Sequence, residues 1–321
     1  MQDYLAGLFC DEQKGFEMDD VMNRRHPAST ERNCETAEEL WMAISPTADL
    51  FDHPYRLVFR GQADASWSLI PSILRPRNQP PIVSATEMVN ASEMVFLELE
   101  YLSSFMRHCD KIGIAVPNDS QEFRLKVCNS QSASTFYKTP SSWPDRRILD
   151  LMAMAQHHGV PTRLLDWTTK AFTAAYFAAS SALASFDKWK SQDRLAVWAL
   201  NIETIGLHKK VVVHNSPGAV SRHLAAQGGL FTVHPHSGDR QGRFTIQGFE
   251  NYLSDLPNSP LMKLTMPVYE SARLLQLCAS AGFSGADVYP SADGAGKAVI
   301  DWMNVDGAVK RWNGDKVRVR I

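Results

Sequence analysis

The sequence has few cysteines and no close pair of them. Its 321 residues include five, an odd number, and no two stand in a C-x-x-C arrangement. A disulfide framework requires paired cysteines, and a zinc ribbon requires closely spaced ligand pairs. Both classes are therefore excluded, and a reducing compartment is the expected environment. The five positions are Cys10, Cys34, Cys109, Cys128 and Cys278.

Long apolar segments are also missing. The longest run, Ala171–Phe186, is diluted by Ser and Thr and is shorter than the ~20 residues that cross a bilayer. The first twenty residues contain six acids and one lysine, the opposite of the charge pattern of a secretory signal. We expect a cytoplasmic protein without a membrane partner, in which Ala171–Phe186 forms a buried helix.

An excess of charge of one sign is lacking as well. Lys and Arg number 33 and Asp and Glu 35, which gives a formal net charge of −2. This balance argues against tight binding to nucleic acid by bulk electrostatics, although a local basic track stays open. The residues available for such a track are Arg222, His223, Arg240 and Arg243, with Lys310, Arg311, Lys316, Arg318 and Arg320 near the C-terminus.

Several motifs that carry chemistry are absent. The sequence contains no G-x-S-x-G nucleophile motif, no P-loop and no Rossmann fingerprint. Its histidines include no i, i+4 pair, and its cysteines are unpaired. These are the arrangements that supply a standard zinc framework. No metal site is therefore predicted.

Hydrophobic residues make up 44% of the chain, enough for a sizeable folded core. Periodicity predicts helices after Thr36, over Ser84–Cys109, between Asp145 and Gly159, from Lys170, over Tyr269–Ala281 and over Gly294–Met303. Strands are predicted at Tyr55–Phe59, Leu195–Leu200, Val211–Val213, Leu230–Val233, Lys263–Met266 and Ala286–Tyr289. Residues 113–144 are expected to form a loop and 162–168 a turn. Arg60 is expected at the exit of the first of these strands.

Two stretches resemble the signature blocks of the FRG domain family. They are FRGQADASWSLIPSILR at Phe59–Arg75 and AQHHGVPTRLLDWTTKAFTAAYFA at Ala155–Ala178. Weaker blocks follow at Ser221–Pro235 and Asp287–Val299. The resemblance covers residues 36–303, which are predicted to form the FRG domain. Mixed charge without a sustained period predicts an N-terminal arm at 1–35, and the basic residues near the end define a tail at 304–321.

The order of these motifs is similar to that of ADP-ribosyltransferases. The resemblance implies an α+β fold with a split mixed β-sheet and several covering helices. In that fold an Arg ends the first core strand, a Ser/Thr-bearing strand packs under an Ala-rich helix, and a Glu precedes a late strand. The matching positions are Arg60, Thr168 and Gln227, which the resemblance therefore implies as catalytic.

The implied activity is transfer of ADP-ribose from NAD to RNA, DNA or protein, by a toxin or phage-defence effector. NAD would be a substrate, and a cognate antitoxin protein would be a further partner. The residues expected to bind NAD are Arg60, Gly61, His157, His158, Thr162, Arg163, Asp166 and Trp167. Arg60 suits a bidentate contact with phosphate or ribose oxygens, and the alternative is an ion pair with Asp166 that joins two core strands.

Gln227 leaves the carboxylate of the implied site undetermined. An amide hydrogen-bonds a ribose hydroxyl, but it does not offer the negative charge that glycosyl-transfer sites use against an oxocarbenium ion. Glu250 is one candidate for that charge. The alternative function is a non-enzymatic FRG module that binds a nucleotide, nucleic acid or protein partner. Two further alternatives stay open: Asp166 or Thr168 as a helix cap, and Arg163 as a phosphate ligand or a surface cap.

Overall fold

The computed structural model describes most of the chain in several segments. These are residues 29–48, 50, 56–75, 90–129, 134–205, 211–216, 222–236, 240, 244–253 and 259–314. The predictions made for residues 1–28, for Arg243 and for the tail beyond residue 314 lie outside this part, as do the side chains of Arg222 and His223.

One mixed sheet of seven strands forms the centre of the described fold. The strands are β1 (Thr30–Asn33), β2 (Leu57–Gln62), β3 (Leu164–Thr168), β4 (Arg194–Asn201), β5 (Val212–His214), β6 (Gly229–Val233) and β7 (Leu261–Pro267). Their order across the sheet is β1-β7-β4-β2-β3-β6-β5. β1 runs parallel to β7, and the other neighbouring pairs are antiparallel.

Eleven helices accompany this sheet in the described segments. They are α1 (Ala37–Ala43), α2 (Ala91–Lys111), α3 (Gln121–Lys126), α4 (Ser134–Lys138), α5 (Leu149–His157), α6 (Ala171–Leu183), α7 (Ile202–Ile205), α8 (Arg222–Gln227), α9 (Ser271–Ser280), α10 (Gly285–Val288) and α11 (Ala292–Gly314). Side-chain caps determine where several of these helices begin. Thr36 accepts the Glu39 N–H at 3.2 Å at the start of α1, as predicted, and Asn90 forms a capping box with Glu93 at the start of α2.

The two faces of the sheet pack differently because side chains alternate along each strand. On one face, Val58, Trp167 and Leu230 join a single cluster that spans the sheet. On the opposite face, different helices pack on the two sides of the boundary between β2 and β3. Phe59 packs with α6, whereas Phe231 packs with residues of α2 and α5.

β2 and β3 pair through one residue only, Phe59 with Thr168, whereas β2 pairs with β4 along six residues. The two strands therefore diverge. Beside this divergence α6 lies directly against β2. A Cβ on Gly61 would be 2.1 Å from the carbonyl oxygen of Ala174, so glycine is required there by the close approach of helix and strand.

Four predictions of secondary structure are wrong. Arg60 lies within β2 rather than at its exit, because the strand continues to Gln62 in its pairing with β4. Residues 164–168 form a strand instead of a turn, because they pair with β6 along five residues. The strand predicted at Ala286–Tyr289 is the short helix α10, which Ser284 and Asp287 cap. Residues 113–144 contain α3 and α4 as well as loop.

The ends of the predicted segments also carry regular structure. Residues 30–33 of the predicted arm form β1, an edge strand of the sheet. The helix predicted at Gly294–Met303 continues to Gly314, through the first half of the predicted tail. In that stretch Lys310 pairs with Asp306 at 2.6 Å and Arg311 donates to the Asp187 carbonyl, so both cations already have partners. α2 begins at Ala91, later than the predicted Ser84.

Candidate functional site

A cavity of about 470 Å³ opens beside the divergence of β2 and β3, and we call it the cleft. Cavities of roughly 300–1,000 Å³ commonly hold small molecules and cofactors. The cleft is lined by residues of β2, α5, β3, α6, α8 and β6 and by Tyr289 after α10. Among the lining residues are eight of those predicted for the site: Arg60, Gly61, His157, His158, Asp166, Trp167, Thr168 and Gln227.

Arg60 and Asp166 face each other across the gap between β2 and β3. Nη1 of Arg60 donates to the backbone carbonyl of Asp166 at 2.8 Å and lies 3.5 Å from its Oδ2. The Arg60 side chain is 14% exposed and the Asp166 side chain 63% exposed. The two side chains form an ion pair, but because it is largely solvated it contributes no more than about 1 kcal/mol to the free energy of unfolding. Nε of Arg60 is buried without a hydrogen-bond partner in the described structure.

A second guanidinium lies near this pair. Arg75, at the end of the first signature block, donates from Nε to the carbonyl of Ile70 at 2.8 Å. Desolvation lowers the pKa of Arg75, the charge of Arg60 lowers it further, and Asp166 acts in the opposite direction. Two cations and one carboxylate thus share one region, and this excess of positive charge favours an anionic ligand.

Gln156 links Asp166 to the interior, and the sequence analysis missed it. Its Nε2 donates to Oδ1 of Asp166 at 2.7 Å, and its Oε1 accepts from the hydroxyl of Thr162. Thr162 is buried and does not line the cleft. Thr162 was predicted to contact NAD, and the structure places its hydroxyl inside the fold, away from the cleft. Gln156 adjoins His157 and His158 in the second signature block, and this position is the signal that could have indicated it.

Thr168 and Gln227 meet through the backbone. The hydroxyl of Thr168 donates to the Gln227 carbonyl at 2.5 Å and accepts the Lys170 N–H at 2.9 Å. Thr168 thus joins the segment before α6 to the end of α8, but the N-cap of α6 is Lys170, and neither Thr168 nor Asp166 caps the helix. The Gln227 side chain donates from Nε2 to the Val288 carbonyl at 3.4 Å. Gly228 follows with φ +59°, a conformation that favours glycine and turns the chain into β6.

Aromatic side chains form another part of the lining. Phe177 and Tyr289 both line the cleft, and their rings meet edge to face with centroids 6.1 Å apart. Burial raises the pKa of Tyr289, and the charges of Asp166 and Asp301 raise it further. His157 and His158 stand at the C-terminal end of α5, as predicted, and both are exposed. Neither Phe177 nor Tyr289 was predicted from the sequence to belong to the site.

Three other predicted roles are corrected by the structure. Arg163 is fully buried and pairs with Glu98 of α2, so it is neither a surface cap nor exposed to a phosphate. Trp167, which was predicted to bind NAD, borders the cleft, but its ring is buried and its Nε1 donates to Thr232 Oγ1 at 2.9 Å. Glu250 accepts the Leu69 N–H at 3.0 Å and does not line the cleft.

Gly61 lines the cleft at the point where α6 crosses β2. The small size of Gly61 is required by α6, whereas the prediction assigned it to the approach of a ligand. Among the described residues, no group of three or more His, Cys, Asp or Glu side chains is placed to hold a metal ion. No helix in the described segments combines the length and the apolar character that crossing a membrane requires.

Comparison with known proteins identifies one segment of the chain. No curated protein and no solved structure matches the chain. Residues 55–187 match the family model of the FRG domain. The matched segment contains Arg60, Gln156, Asp166 and Thr168, while Gln227 and Tyr289 come from beyond it and complete the cleft. Residues 55–187 of this protein are therefore an FRG domain.

Proposed function

We propose that the cleft binds NAD and that the protein transfers ADP-ribose from NAD to a macromolecular target, as a toxin or phage-defence effector in the cytoplasm. One observation carries the proposal. The cleft brings Arg60, Asp166, Thr168 and Gln227 to one cavity together with two aromatic rings, although these residues come from distant parts of the chain. This is the convergence that the motif order of ADP-ribosyltransferases implies.

The residues match the parts of NAD by their chemistry. The guanidinium of Arg60, which lines the cleft and has Arg75 nearby, suits the pyrophosphate, because guanidinium groups bind phosphate oxygens through strong charge-assisted hydrogen bonds. Phe177 and Tyr289 offer apolar rings for the flat nicotinamide or adenine. Gln227 uses its Nε2 on Val288 and keeps Oε1 as an acceptor for a ribose hydroxyl.

The sheet itself supports this proposal. β2 and β3 share a single pair of residues, and the cleft lies where they part. A split sheet of the ADP-ribosyltransferase kind requires such a divergence between its core strands. The Ala-rich helix α6 lies against β2 at Gly61, beside β3, whereas the motif order implies that it covers the Ser/Thr-bearing strand itself.

The test is an assay of the pure full-length protein with NAD labelled in its adenylate half. Separate reactions contain RNA, DNA or a protein extract, and both nicotinamide release and label transfer are measured. Wild type is expected to release nicotinamide with at least one acceptor. Arg60→Ala is expected to lose at least 100-fold of the rate. Arg56→Ala is the matched control, because Arg56 is an exposed arginine just before the same strand and does not line the cleft.

The absence of nicotinamide release from wild type with every acceptor would reject the transferase. Equal loss in Arg56→Ala would show that the effect of Arg60 is not specific to the cleft. Because label transfer is read in each reaction separately, the same experiment identifies whether RNA, DNA or protein is the target.

A second candidate function is a non-enzymatic FRG module that binds a nucleotide, nucleic acid or protein through the same cleft. The observation in its favour is that Thr168 has its hydroxyl bound to the backbone and that an amide, Gln227, stands where a Glu is expected. Calorimetry separates the two functions. Binding of NAD without nicotinamide release, or binding of another ligand in its place, would support the module. A cognate antitoxin stays part of the toxin proposal, and co-purification from the native host tests it.

A further inference from the structure

Asp166 is the single carboxylate among the described residues that line the cleft. Its side chain is 63% exposed, so an acceptor molecule is able to reach it. Gln227 carries no charge, and Glu250 lies elsewhere, bound to the Leu69 N–H. A site that must stabilise positive charge on a ribose and accept a proton therefore has one group suited to both tasks.

The donors and acceptors around Asp166 fix the orientation of the Gln156 amide. Oγ1 of Thr162 accepts the Leu164 N–H at 3.1 Å and donates its only hydrogen to Oε1 of Gln156. The amide oxygen of Gln156 is thereby oriented toward Thr162, and its Nε2 toward Asp166 at 2.7 Å. One carboxylate oxygen of Asp166 therefore accepts from the Gln156 amide. The other, Oδ2, lies 3.5 Å from Nη1 of Arg60.

Thr162 is in turn held by the first signature block. Its carbonyl accepts the Ile73 N–H at 3.2 Å, and its own N–H donates to Ser72 Oγ at 3.1 Å. Thr162 is only 2% exposed, so water does not compete for its hydroxyl. A series of contacts thus runs from residues 72–73 through Thr162 and Gln156 to the carboxylate in the cleft.

We infer that Asp166 is the catalytic carboxylate of the transfer reaction and that Gln156 and Thr162 are its positioning residues. This inference rests on the proposed function. The C1′–N bond to nicotinamide breaks, and its electron pair stays on the ring nitrogen and neutralises the charge of the ring. A lone pair of the acceptor forms the new bond to C1′. The acceptor proton passes to Asp166 and then to solvent, so the products are the ADP-ribosylated acceptor, nicotinamide and one proton.

The first experiment compares Asp166→Asn with wild type in full-length protein. Nicotinamide release is expected to fall by 100-fold or more, the range for loss of a general base or of one preorganised electrostatic contact. The Kd of NAD is expected to change by less than about threefold, because Asn keeps the shape and the acceptor oxygen. Asp187→Asn is the matched control, because it makes the same change at an exposed carboxylate outside the cleft.

The positioning role is tested at Thr162 with two variants of similar size. Thr162→Ser keeps the hydroxyl and is expected to retain the wild-type rate. Thr162→Val removes the donor that orients Gln156, and the kcat is expected to fall about tenfold with the KM for NAD unchanged. A purely structural role of Thr162 would instead lower the melting temperature without this split between kcat and KM.

The outcomes separate the inference from the function on which it rests. No nicotinamide release from wild type rejects the transferase and the inference together. An active wild type with Asp166→Asn at more than a third of its rate rejects the inference alone. If Asp166→Asn melts at a lower temperature, Asp166→Ala with added formate replaces it. Formate is expected to restore release at least tenfold in Asp166→Ala and not in Gln227→Ala, and failure of this rescue would overturn the inference.

Discussion

Thr168 donates its hydroxyl hydrogen to the backbone carbonyl of Gln227 across 2.5 Å, although 59 residues separate the two in the chain. The same hydroxyl accepts the N–H of Lys170 at the start of α6. One side chain therefore holds together the end of β3, the start of α6 and the turn before β6. Thr168 positions the wall of the cleft, so its contribution to function is expected to appear in stability as well.

Thr168→Val is expected to lower the free energy of unfolding by about 2 kcal/mol, because it leaves a carbonyl and an N–H without their partner. Thr168→Ser keeps both hydrogen bonds and is expected to differ by less than about 1 kcal/mol. Urea denaturation followed by circular dichroism measures both. Wild-type stability in Thr168→Val would show that water or another group replaces the hydroxyl.

Arg60→Lys is expected to leave the fold intact and to remain as inactive as Arg60→Ala. A lysine supplies a point charge, whereas the planar guanidinium donates from Nη1 to the Asp166 carbonyl and holds its other N–H donors in a fixed fork. Nicotinamide release and thermal melting are measured on the same preparations. Full activity with lysine would mean that charge alone is needed, and an unfolded Arg60→Ala would assign Arg60 to the fold.

Gly61→Ala is expected to destabilise the protein by about 3 kcal/mol or more, because the new methyl group overlaps the backbone of α6, which has no way to yield as a flexible side chain does. Gly296→Ala is the matched control. A Cβ there meets nothing within 4 Å, and alanine in place of glycine in a helix is expected to stabilise by up to about 1 kcal/mol. Equal melting temperatures of the two variants would contradict the close packing of α6 on β2.

His234 is expected to make stability depend on pH. Burial, and secondly the charge of Arg163, lowers the pKa of His234 from 6.5 to about 4. The unfolded chain therefore binds a proton at a higher pH than the folded chain does. The contribution of His234 is complete above about pH 6.5 and falls as the pH drops toward 4, by about 3 kcal/mol in total.

The measurement for His234 is the free energy of unfolding at pH 7 and pH 4.5 in wild type and in His234→Gln. Glutamine keeps a donor for the Gln247 carbonyl, which Nε2 of His234 contacts at 2.9 Å, and does not titrate. The carboxylates titrate alike in both proteins, so any difference between the two in how far the free energy of unfolding falls from pH 7 to pH 4.5 is due to His234. An equal fall in both proteins would show that His234 does not cause the pH dependence.

Much of the local structure could be predicted because its causes lie within a few residues. The cap of Thr36 on Glu39 set the start of α1, and alternating or continuous apolar runs marked β4, β6 and β7 to within a few residues. The two signature blocks indicated the FRG domain. The order of all the motifs implied that Arg60, Thr168 and Gln227 belong to one site, and the three residues line one cavity. These features depend on periodicity, capping and residue order, all of which are readable along the chain.

Local signals were insufficient where two causes competed. Ala286–Tyr289 contains β-favouring Val and Tyr, but the capping box of Ser284 with Asp287 forms a helix there. Residues 162–168 look like a turn in isolation, but 164–168 form a strand because β6 supplies hydrogen-bond partners along five residues. The pairing of β3 with β6 is a long-range contact that no short window of sequence contains.

The sequence by itself determined the FRG domain, its main helices and the residue types available for chemistry. The tertiary structure alone decided which of those side chains reach the cleft. Asp166 and Trp167 are neighbours, but the alternation of β3 turns one to the cleft and the other to the core. Arg163 is buried because Glu98, 65 residues earlier, neutralises it, and Gln156 faces Asp166 because Thr162 orients its amide. Strand register and long-range pairing set these orientations, and neither is encoded in any local pattern.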